Sequence, residues 1–429
     1  MSEFFQRNAE ILQARWPSLF PRLAREDSGK VQAVLTEGRG STLSVEGIQL
    51  TSRHDRLAEA RFQASSLPES PSLHLYGTGL GDLQGVLLQR PELRHLHVHL
   101  LNGALFVLVL HLLDQSEWLA DPRVELHYAG DATEIALPYF ALPAELVLAD
   151  DFNAKIRDRL ISETHLTFNN TTFDVADPHL VELLDKSLPL LRVDRDVAEL
   201  FGRGEGQGAF VIATGPSLQG HLAALKRVRE QAERPLFIAV DTAYKPLLAA
   251  GIEPDIVVSV DHKIRLHHLP PEASAATALV YMPMLDVDTL AGWRGARYAA
   301  YSDSALYDRV RTQLPRGHLF VGGSVIHPAA DLAVKMGMRR ITLFGADFAF
   351  PGNRTHTGWD DGVLGPQVSA ARHWVLDGHG QRVRTQLNFR GYLIELERFI
   401  ARHPDVAFYN TSRAGALIAG TVFDQEFCL

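Results

Sequence analysis

The sequence of 429 residues contains one cysteine and no conspicuous run of basic residues. The single cysteine, Cys428, excludes an internal disulfide framework and is typical of a reducing compartment. The formal net charge is −9, so the electrostatics do not favour a nucleic-acid partner. The first twenty residues have the pattern of a charged amphipathic helix and lack the apolar core of a signal peptide. We therefore expect a cytoplasmic protein.

Long apolar runs are also scarce, and one segment, residues 96–113, approaches the length of a membrane span. Asn102 and Gly103 interrupt it, and it carries three histidines. Buried parallel strands also form continuous apolar runs. We therefore expect a buried strand at 93–100, a turn and a buried helix, with no membrane insertion.

The length and the composition, 46% hydrophobic and 22% charged, predict a globular protein of two or three domains. Residues 1–150 show a helix, a small hairpin and then a βαβαβ pattern, which indicates a degenerate Rossmann-like domain. Residues 151–205 are predicted to be a helical linker. Residues 206–429 form the second and larger α/β domain.

A glycine-rich turn, Gly77-x-Gly79-x-Gly81, follows the first strand of the N-terminal βαβαβ pattern. Such glycines can bind a dinucleotide or a methyl donor. The next strand ends without the Asp or Glu that would bind a ribose hydroxyl. We favour a structural domain without a cofactor, with a site for a dinucleotide or a methyl donor as the alternative.

The second domain alternates apolar strand patterns with helical ones. This rhythm predicts a largely parallel sheet covered on both faces, and thus an α/β protein with two Rossmann-like domains joined by helices. The strand candidates are 209–215, 236–241, 256–261, 278–283, 318–323, 341–347 and 406–410.

Polar residues and glycines follow five of these strands. Ligands of such folds gather at the carboxyl ends of the strands, so these residues predict one shared site. They are Thr214, Gly215, Pro216, Ser217, Asp241, Thr242, Asp261, Gly322, Gly323, Ser324 and Asp347.

The first of these turns connects a strand to a helix. Gly215 permits close approach of the backbone, Pro216 stiffens the turn, and Ser217 is a candidate N-cap. Free amides at the start of the helix favour an anion such as phosphate, although an ordinary capped turn explains the same residues. No Gly-Lys-Ser/Thr follows, so the turn is not a P-loop.

A second turn, Gly322-Gly323-Ser324, also leads into a helical pattern. Two turns that favour anions fit a ligand with two negative groups. A nucleotide that carries a carboxylated sugar and a nucleoside triphosphate are both candidates.

Three aspartates and a histidine complete the predicted site. Asp241, Asp261 and Asp347 can bind Mg²⁺, hydrogen-bond a ribose or cap helices. His356 lies in a loop of Gly, Pro and Asn and is a candidate general base, because the pKa of histidine lies near neutral pH. A solvent-exposed histidine is the alternative.

Taken together, the motifs resemble those of a known family. "GAFVIATGPSL", "FIAVDTAYKPLLAAGIEPDIVVSVD", "GGSVIHPAADLAVKMGMRRITLFGADFAF…THTG" and "GQRVRT…NTSRAGALIAGT" occur in this order. Over residues 205–420 the chain resembles the motility-associated factor (Maf) family of bacterial flagellin glycosyltransferases. The block from Gly322 is also similar to a stretch of bacterial sialyltransferases that use CMP-sialic acid.

The resemblance implies transfer of a pseudaminic-type or legionaminic-type nonulosonic acid from its CMP-activated form to Ser or Thr of flagellin. It implies that Gly323 and Ser324 hold the donor carboxylate, that the 214–217 turn lines the CMP phosphate and ribose, and that Asp241 and Asp347 lie near the nucleotide and the reacting centre. It implies no metal, no cofactor other than the CMP-sugar substrate, and flagellin as partner.

Two departures from the sialyltransferase pattern concern the leaving group. Thr214 stands where those enzymes carry Asn, and Ala349 stands where they carry a tyrosine that stabilises the leaving phosphate. Thr355 or Tyr409 is expected to replace that tyrosine.

Two alternatives stay open. Archaeal MptE-like 6-hydroxymethylpterin diphosphokinases, which use ATP and would need Mg²⁺, also have the Gly-Pro-Ser turn and acids at the strand ends. A non-catalytic scaffold that binds flagellin is the other. The sequence leaves the oligomeric state open.

Overall fold

The computed structural model describes residues 2–37, 41–172, 177–359, 368, 371 and 373–429, with the backbone alone for 164–172. The chain divides into two compact units, Met1–His165 and Leu166–Leu429. Within the described ranges, no helix has the length and apolar character needed to cross a bilayer.

The first unit contains a three-stranded antiparallel sheet and a four-stranded parallel sheet. The strands of the small sheet are β1 (Ala33–Glu37), β2 (Ser41–Val45) and β3 (Ile48–Gln49). The parallel sheet has the order β6-β5-β4-β7 and contains β4 (Ser72–Tyr76), β5 (His95–Leu100), β6 (Val124–Tyr128) and β7 (Tyr139–Ala141). The helices of the first unit are α1 (Glu3–Arg15), α2 (Phe20–Leu23), α3 (Arg56–Ser65), α4 (Asp82–Leu87), α5 (Gly103–Leu112), α6 (Ser116–Ala120) and α7 (Pro143–Val147). Helix α8 (Ala154–Thr172) includes residues of both units.

The apolar segment at 96–113 is divided between β5 and α5, as the sequence predicts. Asn102 separates them: its side chain accepts a hydrogen bond from the Leu105 amide and so caps α5. Leu96, Val98 and Phe106 are fully buried in the core of this unit. The run is therefore apolar because both elements lie inside the first unit.

The second unit is built on a parallel sheet of nine strands among the described residues, with the order β18-β17-β14-β9-β10-β11-β12-β13-β8. Its strands, together with the hairpin β15–β16, are β8 (Arg195–Asp196), β9 (Gly208–Ile212), β10 (Leu236–Val240), β11 (Ile256–Ser259), β12 (Ala278–Tyr281), β13 (Arg297–Ala299), β14 (Arg340–Phe344), β15 (His373–Leu376), β16 (Arg382–Thr385), β17 (Ala407–Asn410) and β18 (Val422–Phe423). Its helices are α9 (Pro178–Val193), α10 (Leu218–Arg229), α11 (Asp241–Ala249), α12 (Val287–Gly292), α13 (Asp308–Arg311), α14 (Ile326–Lys335) and α15 (Leu387–Ala401). The two parallel sheets confirm the predicted α/β class.

One predicted strand, residues 318–323, is wrong. His318 makes a single parallel bridge with Tyr301, and the chain then leaves the sheet. The amide of Phe320 donates to the Asp331 carboxylate at 2.7 Å, so a side chain replaces the next strand partner. The short strand β13, which the sequence pattern did not indicate, occupies a place in the sheet next to β12.

The order of the strands reverses between β9 and β14. From β9 the chain adds β10, β11, β12 and β13 in one direction, whereas β14, β17 and β18 lie on the other side. Such a reversal opens a crevice at the carboxyl ends of the two central strands, because their connections leave in opposite directions. The crevice is the expected place for a ligand.

Candidate functional site

A cavity of about 670 Å³ lies at the carboxyl ends of β9, β10, β11 and β14. It is lined by most of the predicted residues: Thr214, Gly215, Asp241, Thr242, Asp261, Gly323, Ser324, Asp347 and His356. Pro216 lines an adjoining cavity of about 420 Å³, which His356 also lines. Ser217 and Gly322 lie outside the lining of both cavities.

The backbone amides of the turn after β9 donate hydrogen bonds to other groups of the protein. The Gly215 amide donates to the Gly345 carbonyl at 2.8 Å, and the Ser217 amide donates to Asp347 Oδ2 at 2.8 Å. The Leu218 amide donates back to the Gly215 carbonyl at 3.0 Å. These donors are occupied, which corrects the expectation that the start of this helix presents free amides to an anion.

Position 215 requires glycine because atoms of the loop after β14 lie too close for a side chain; this loop and the turn after β9 flank the switch point, where the strand order reverses. A Cβ atom at this position would lie 2.4 Å from both the Gly345 carbonyl oxygen and Asp347 Oδ2. Ser217 occupies the N-cap position of α10, but its side chain makes no capping hydrogen bond. The turn therefore serves chiefly to fasten β9 to the loop after β14.

The second turn retains donors for a ligand. α14 begins at Ile326 with Val325 as N-cap, and both residues line the cavity. The first amides of an α-helix have no intrahelical acceptor, and the helix dipole adds positive potential there. The Ser324 amide is different, because it donates to Nδ1 of His327 at 3.2 Å. Gly323 has a φ of 92°, and a Cβ atom there would lie 2.7 Å from the ring of Tyr392.

Asp241 is a buried carboxyl group at the end of β10. Its Oδ2 accepts from the Ser259 hydroxyl at 2.8 Å, and its Oδ1 accepts from the Thr242 amide at 2.7 Å. Burial raises the pKa of Asp241, the hydrogen bonds from Ser259 and Thr242 oppose this, and the nearby charge of Asp261 adds to the rise. The net effect is a pKa of about 7.

Asp347 is also buried, and burial raises its pKa, while the hydrogen bond from the Ser217 amide opposes this. Its Oδ1 is buried without a hydrogen-bond partner among the described residues. Asp261 is exposed, and its carboxylate accepts from the Lys263 amide at 2.8 Å. Within the described residues these three aspartates do not form a cluster of metal-ligand atoms, so a shared Mg²⁺ site does not follow from their arrangement.

The loop that carries His356 is tied to two strand ends. The Thr357 amide donates to the Thr214 carbonyl at 2.8 Å, and Nε1 of Trp359 donates to the Thr242 carbonyl at 2.9 Å. Nδ1 of His356 is buried and has no hydrogen-bond partner in the described part of the chain. Burial lowers the pKa of His356, so its imidazole is neutral at neutral pH and able to accept a proton.

Several lining residues were missed by sequence reasoning. Lys263 supplies a cation to the cavity, and His268 comes from the same loop after β11. Phe389 and Tyr392 come from α15, and burial raises the pKa of Tyr392. No motif marks these positions. Of the two residues expected to replace the missing tyrosine, Thr355 lines the cavity, whereas Tyr409 lies in β17 under the Arg340 guanidinium. Tyr392 also brings a phenol to the cavity.

The glycine-rich turn of the first unit has a different occupant. Glu145 is buried, and its Oε1 accepts from the amides of Thr78, at 2.7 Å, and Gly79. Burial raises the pKa of Glu145, and these amides oppose the effect. An internal carboxylate thus takes the place where Rossmann-like turns bind phosphate.

Residues 184–353 match a family model described as 6-hydroxymethylpterin diphosphokinase MptE-like. The match confirms the MptE-like resemblance that the motifs predict. The matched segment includes strands β8 to β14 and therefore both sides of the switch point. His356 and the wall formed by α15 lie beyond the matched residues.

No curated protein matches the chain. Among solved structures, the chain is similar to the structure of the MAf glycosyltransferase from Magnetospirillum magneticum AMB-1. The identity is 16% and the TM-score is 0.45, and the alignment covers 100% of this chain and 75% of that one.

Proposed function

We propose that the protein is a cytoplasmic glycosyltransferase that moves a pseudaminic-type or legionaminic-type nonulosonic acid from its CMP-activated donor to Ser or Thr of flagellin, in support of flagellar assembly and motility. The observation that carries the proposal is the cavity at the β9–β14 switch point. One wall is the start of α14, which favours a carboxylate, and another contains hydroxyls and the Lys263 ammonium, which favour a phosphate. A CMP-activated acidic sugar has both groups.

In this proposal the sugar carboxylate binds at the amides of Val325 and Ile326, next to the Ser324 hydroxyl. The CMP phosphate lies near the hydroxyls of Thr214 and Thr242, which are 2.7 Å apart, and near Lys263. The phosphate is assigned to these side chains because the amides of the 214–217 turn are occupied.

The proposed transfer is a single displacement. His356, neutral because of its burial, accepts the proton of the acceptor hydroxyl as that oxygen attacks the anomeric carbon. The bond from this carbon to the phosphate oxygen breaks, and the electron pair leaves with CMP. Lys263 and Tyr392 stabilise the charge on the departing phosphate. One displacement inverts the configuration of the carbon and needs neither a metal nor an organic cofactor.

The match to the MptE-like family favours a second candidate, a pterin diphosphokinase that transfers diphosphate from ATP. That reaction needs Mg²⁺, which prefers ionised carboxylates. Among the described residues, Asp241, Asp261 and Asp347 do not bring their carboxylate oxygens together as a group of metal ligands. This favours the sugar transferase.

Thermal unfolding with nucleotides separates the candidates. We expect CMP at millimolar concentration to raise the melting temperature more than ATP with Mg²⁺, because a ligand stabilises the state that binds it. The reverse order, with release of AMP on addition of 6-hydroxymethyl-dihydropterin, would support the diphosphokinase. Binding of flagellin without any response to nucleotides would support a scaffold.

The mass of flagellin tests the acceptor. Flagellin from cells that lack the protein should be lighter by whole multiples of one nonulosonic acid.

A variant at Ser324 tests the carboxylate site. Ser324→Phe should abolish the protection against thermal unfolding by CMP-nonulosonate, because the phenyl ring fills the carboxylate site, whereas the exposed Ser65→Phe should retain it. Full transfer by Ser324→Phe would show that the carboxylate binds elsewhere.

A further inference from the structure

One face of the parallel sheet in the first unit is covered with histidines. His95, His97 and His99 alternate along β5, so their side chains point to the same face. The residues between them, Leu96 and Val98, are fully buried in the core on the opposite face. Nothing in the proposed transferase chemistry uses this face.

The parallel register aligns further ligand-type residues with these histidines. His97 lies opposite His74 on β4 and opposite Glu125 on β6. His99 lies opposite His127 on β6. Neighbouring strands are about 4.8 Å apart, so side chains in such rows lie within reach of one another.

Three of these side chains converge on one point. The ligand atoms of His97, Glu125 and His127 all lie within 4.8 Å of one another. Oε2 of Glu125 is 3.3 Å from Nδ1 of His97 and 3.7 Å from Nε2 of His127. Ligand atoms around a tetrahedral zinc ion lie about 3.4 Å apart, as bond lengths of about 2.1 Å require. Two of the three separations are therefore already close to those of a metal site.

The neighbouring histidines hold His97 in place, and the site stays accessible to solvent. The His74 ring stacks on His97 with centroids 4.5 Å apart and planes within 10°, and Nδ1 of His74 lies 3.1 Å from Nε2 of His99. The side chains of Glu125 and His127 are 46% and 42% exposed, so an ion can enter from solvent.

We propose that His97, Glu125 and His127 form a binding site for a divalent transition metal of the zinc class. Two imidazoles and a carboxylate suit Zn²⁺, Ni²⁺, Cu²⁺ and Co²⁺ better than Mg²⁺ or Ca²⁺, which prefer oxygen ligands alone. The fourth position is open to water or to His95, whose Nδ1 lies 3.6 Å from Oε1 of Glu125. The bound ion links β5 to β6 and stabilises the first unit.

The test uses the full chain without an affinity tag, stripped with EDTA and titrated with ZnCl₂ in a calorimeter. We expect one tight equivalent, visible absorption bands on addition of CoCl₂, and a higher melting temperature with Zn²⁺ than with EDTA. MgCl₂ should produce none of these effects. No binding of Zn²⁺ at concentrations up to the millimolar range would overturn the proposal.

Variants assign the ligands. His97→Ala, His127→Ala and Glu125→Gln should each weaken Zn²⁺ binding at least about tenfold. Glu125→Gln changes a half-exposed side chain and keeps the shape, so it stays informative if a histidine variant fails to fold. His54→Ala, which removes an exposed histidine of the same unit outside the cluster, should bind like the wild type. Zn²⁺ affinity equal to that of the wild type in both Glu125→Gln and His97→Ala would place the ion elsewhere and overturn the assignment.

Discussion

The backbone amide of Ser217 donates to the Asp347 carboxylate at 2.8 Å, although 130 residues separate the two in the chain. This bond joins the turn after β9 to the loop after β14, the two strands that flank the reversal of the sheet. Asp347 lines the cavity and also connects the two loops beside it.

Gly215→Ala should destabilise the protein, because its methyl group would lie 2.4 Å from Asp347 Oδ2 and from the Gly345 carbonyl oxygen. We expect a loss of about 1–3 kcal/mol in the free energy of unfolding, measured by chemical denaturation. Gly85→Ala is the control, since a Cβ there meets no atom within 4 Å and favours helix α4. Equal stability of Gly215→Ala and the wild type would show that the turn tolerates displacement.

Asp241→Asn should change how stability depends on pH. Burial raises the folded pKa to about 7 from a usual value of 3.8, so the wild type gains stability from the bound proton below about pH 4 and loses it as the pH rises to 7. The free energy of unfolding of the wild type relative to Asp241→Asn should fall by up to about 1.4 kcal/mol per pH unit in this window. The same pH dependence of unfolding in Asp241→Asn and the wild type would contradict the raised pKa of Asp241.

His356→Ala should lower kcat for transfer to flagellin by at least about 100-fold, because the proposed general base is lost. The donor KM should change little, since His356 is placed against the acceptor. His379→Ala, at an exposed turn between β15 and β16, should transfer normally. An unchanged kcat in His356→Ala would remove His356 as the base.

Lys263→Ala should weaken CMP binding about tenfold, because a cation beside the phosphate is lost. The difference from the wild type should shrink at high salt, since Lys263 is exposed and its charge is screened. Calorimetric titrations at two ionic strengths measure both effects. The exposed Lys226→Ala should bind CMP normally, and the same affinity in Lys263→Ala would place the phosphate away from this residue.

Sequence reasoning located the strand ends because β9, β10, β11 and β14 are apolar runs followed by polar turns. It missed β13, since this strand has three residues and begins with Arg297. It also failed to find Tyr392, because α15 lies between two of the motifs, in a stretch that no motif marks, and reaches the cavity only in the folded structure.

The use of the amides after β9 was equally hidden from the sequence. A strand followed by Gly-Pro-Ser is typical of an anion site, and the partner that occupies the Ser217 amide is a side chain far along the chain. The same holds for the glycine-rich turn of the first unit, where the competing acceptor is Glu145. Local patterns predict which donors a turn has, whereas tertiary contacts decide which of them remain available.

The Glu145 carboxylate has a consequence for stoichiometry. Both units of this chain carry a glycine-containing turn after a parallel strand, but in the first unit the amides already donate to the Glu145 carboxyl group. A nucleotide in solution would have to displace the Glu145 side chain from these amides, and the effective concentration of this tethered side chain is far higher than the concentration of the nucleotide. Saturation with CMP should therefore plateau at a single molecule per polypeptide.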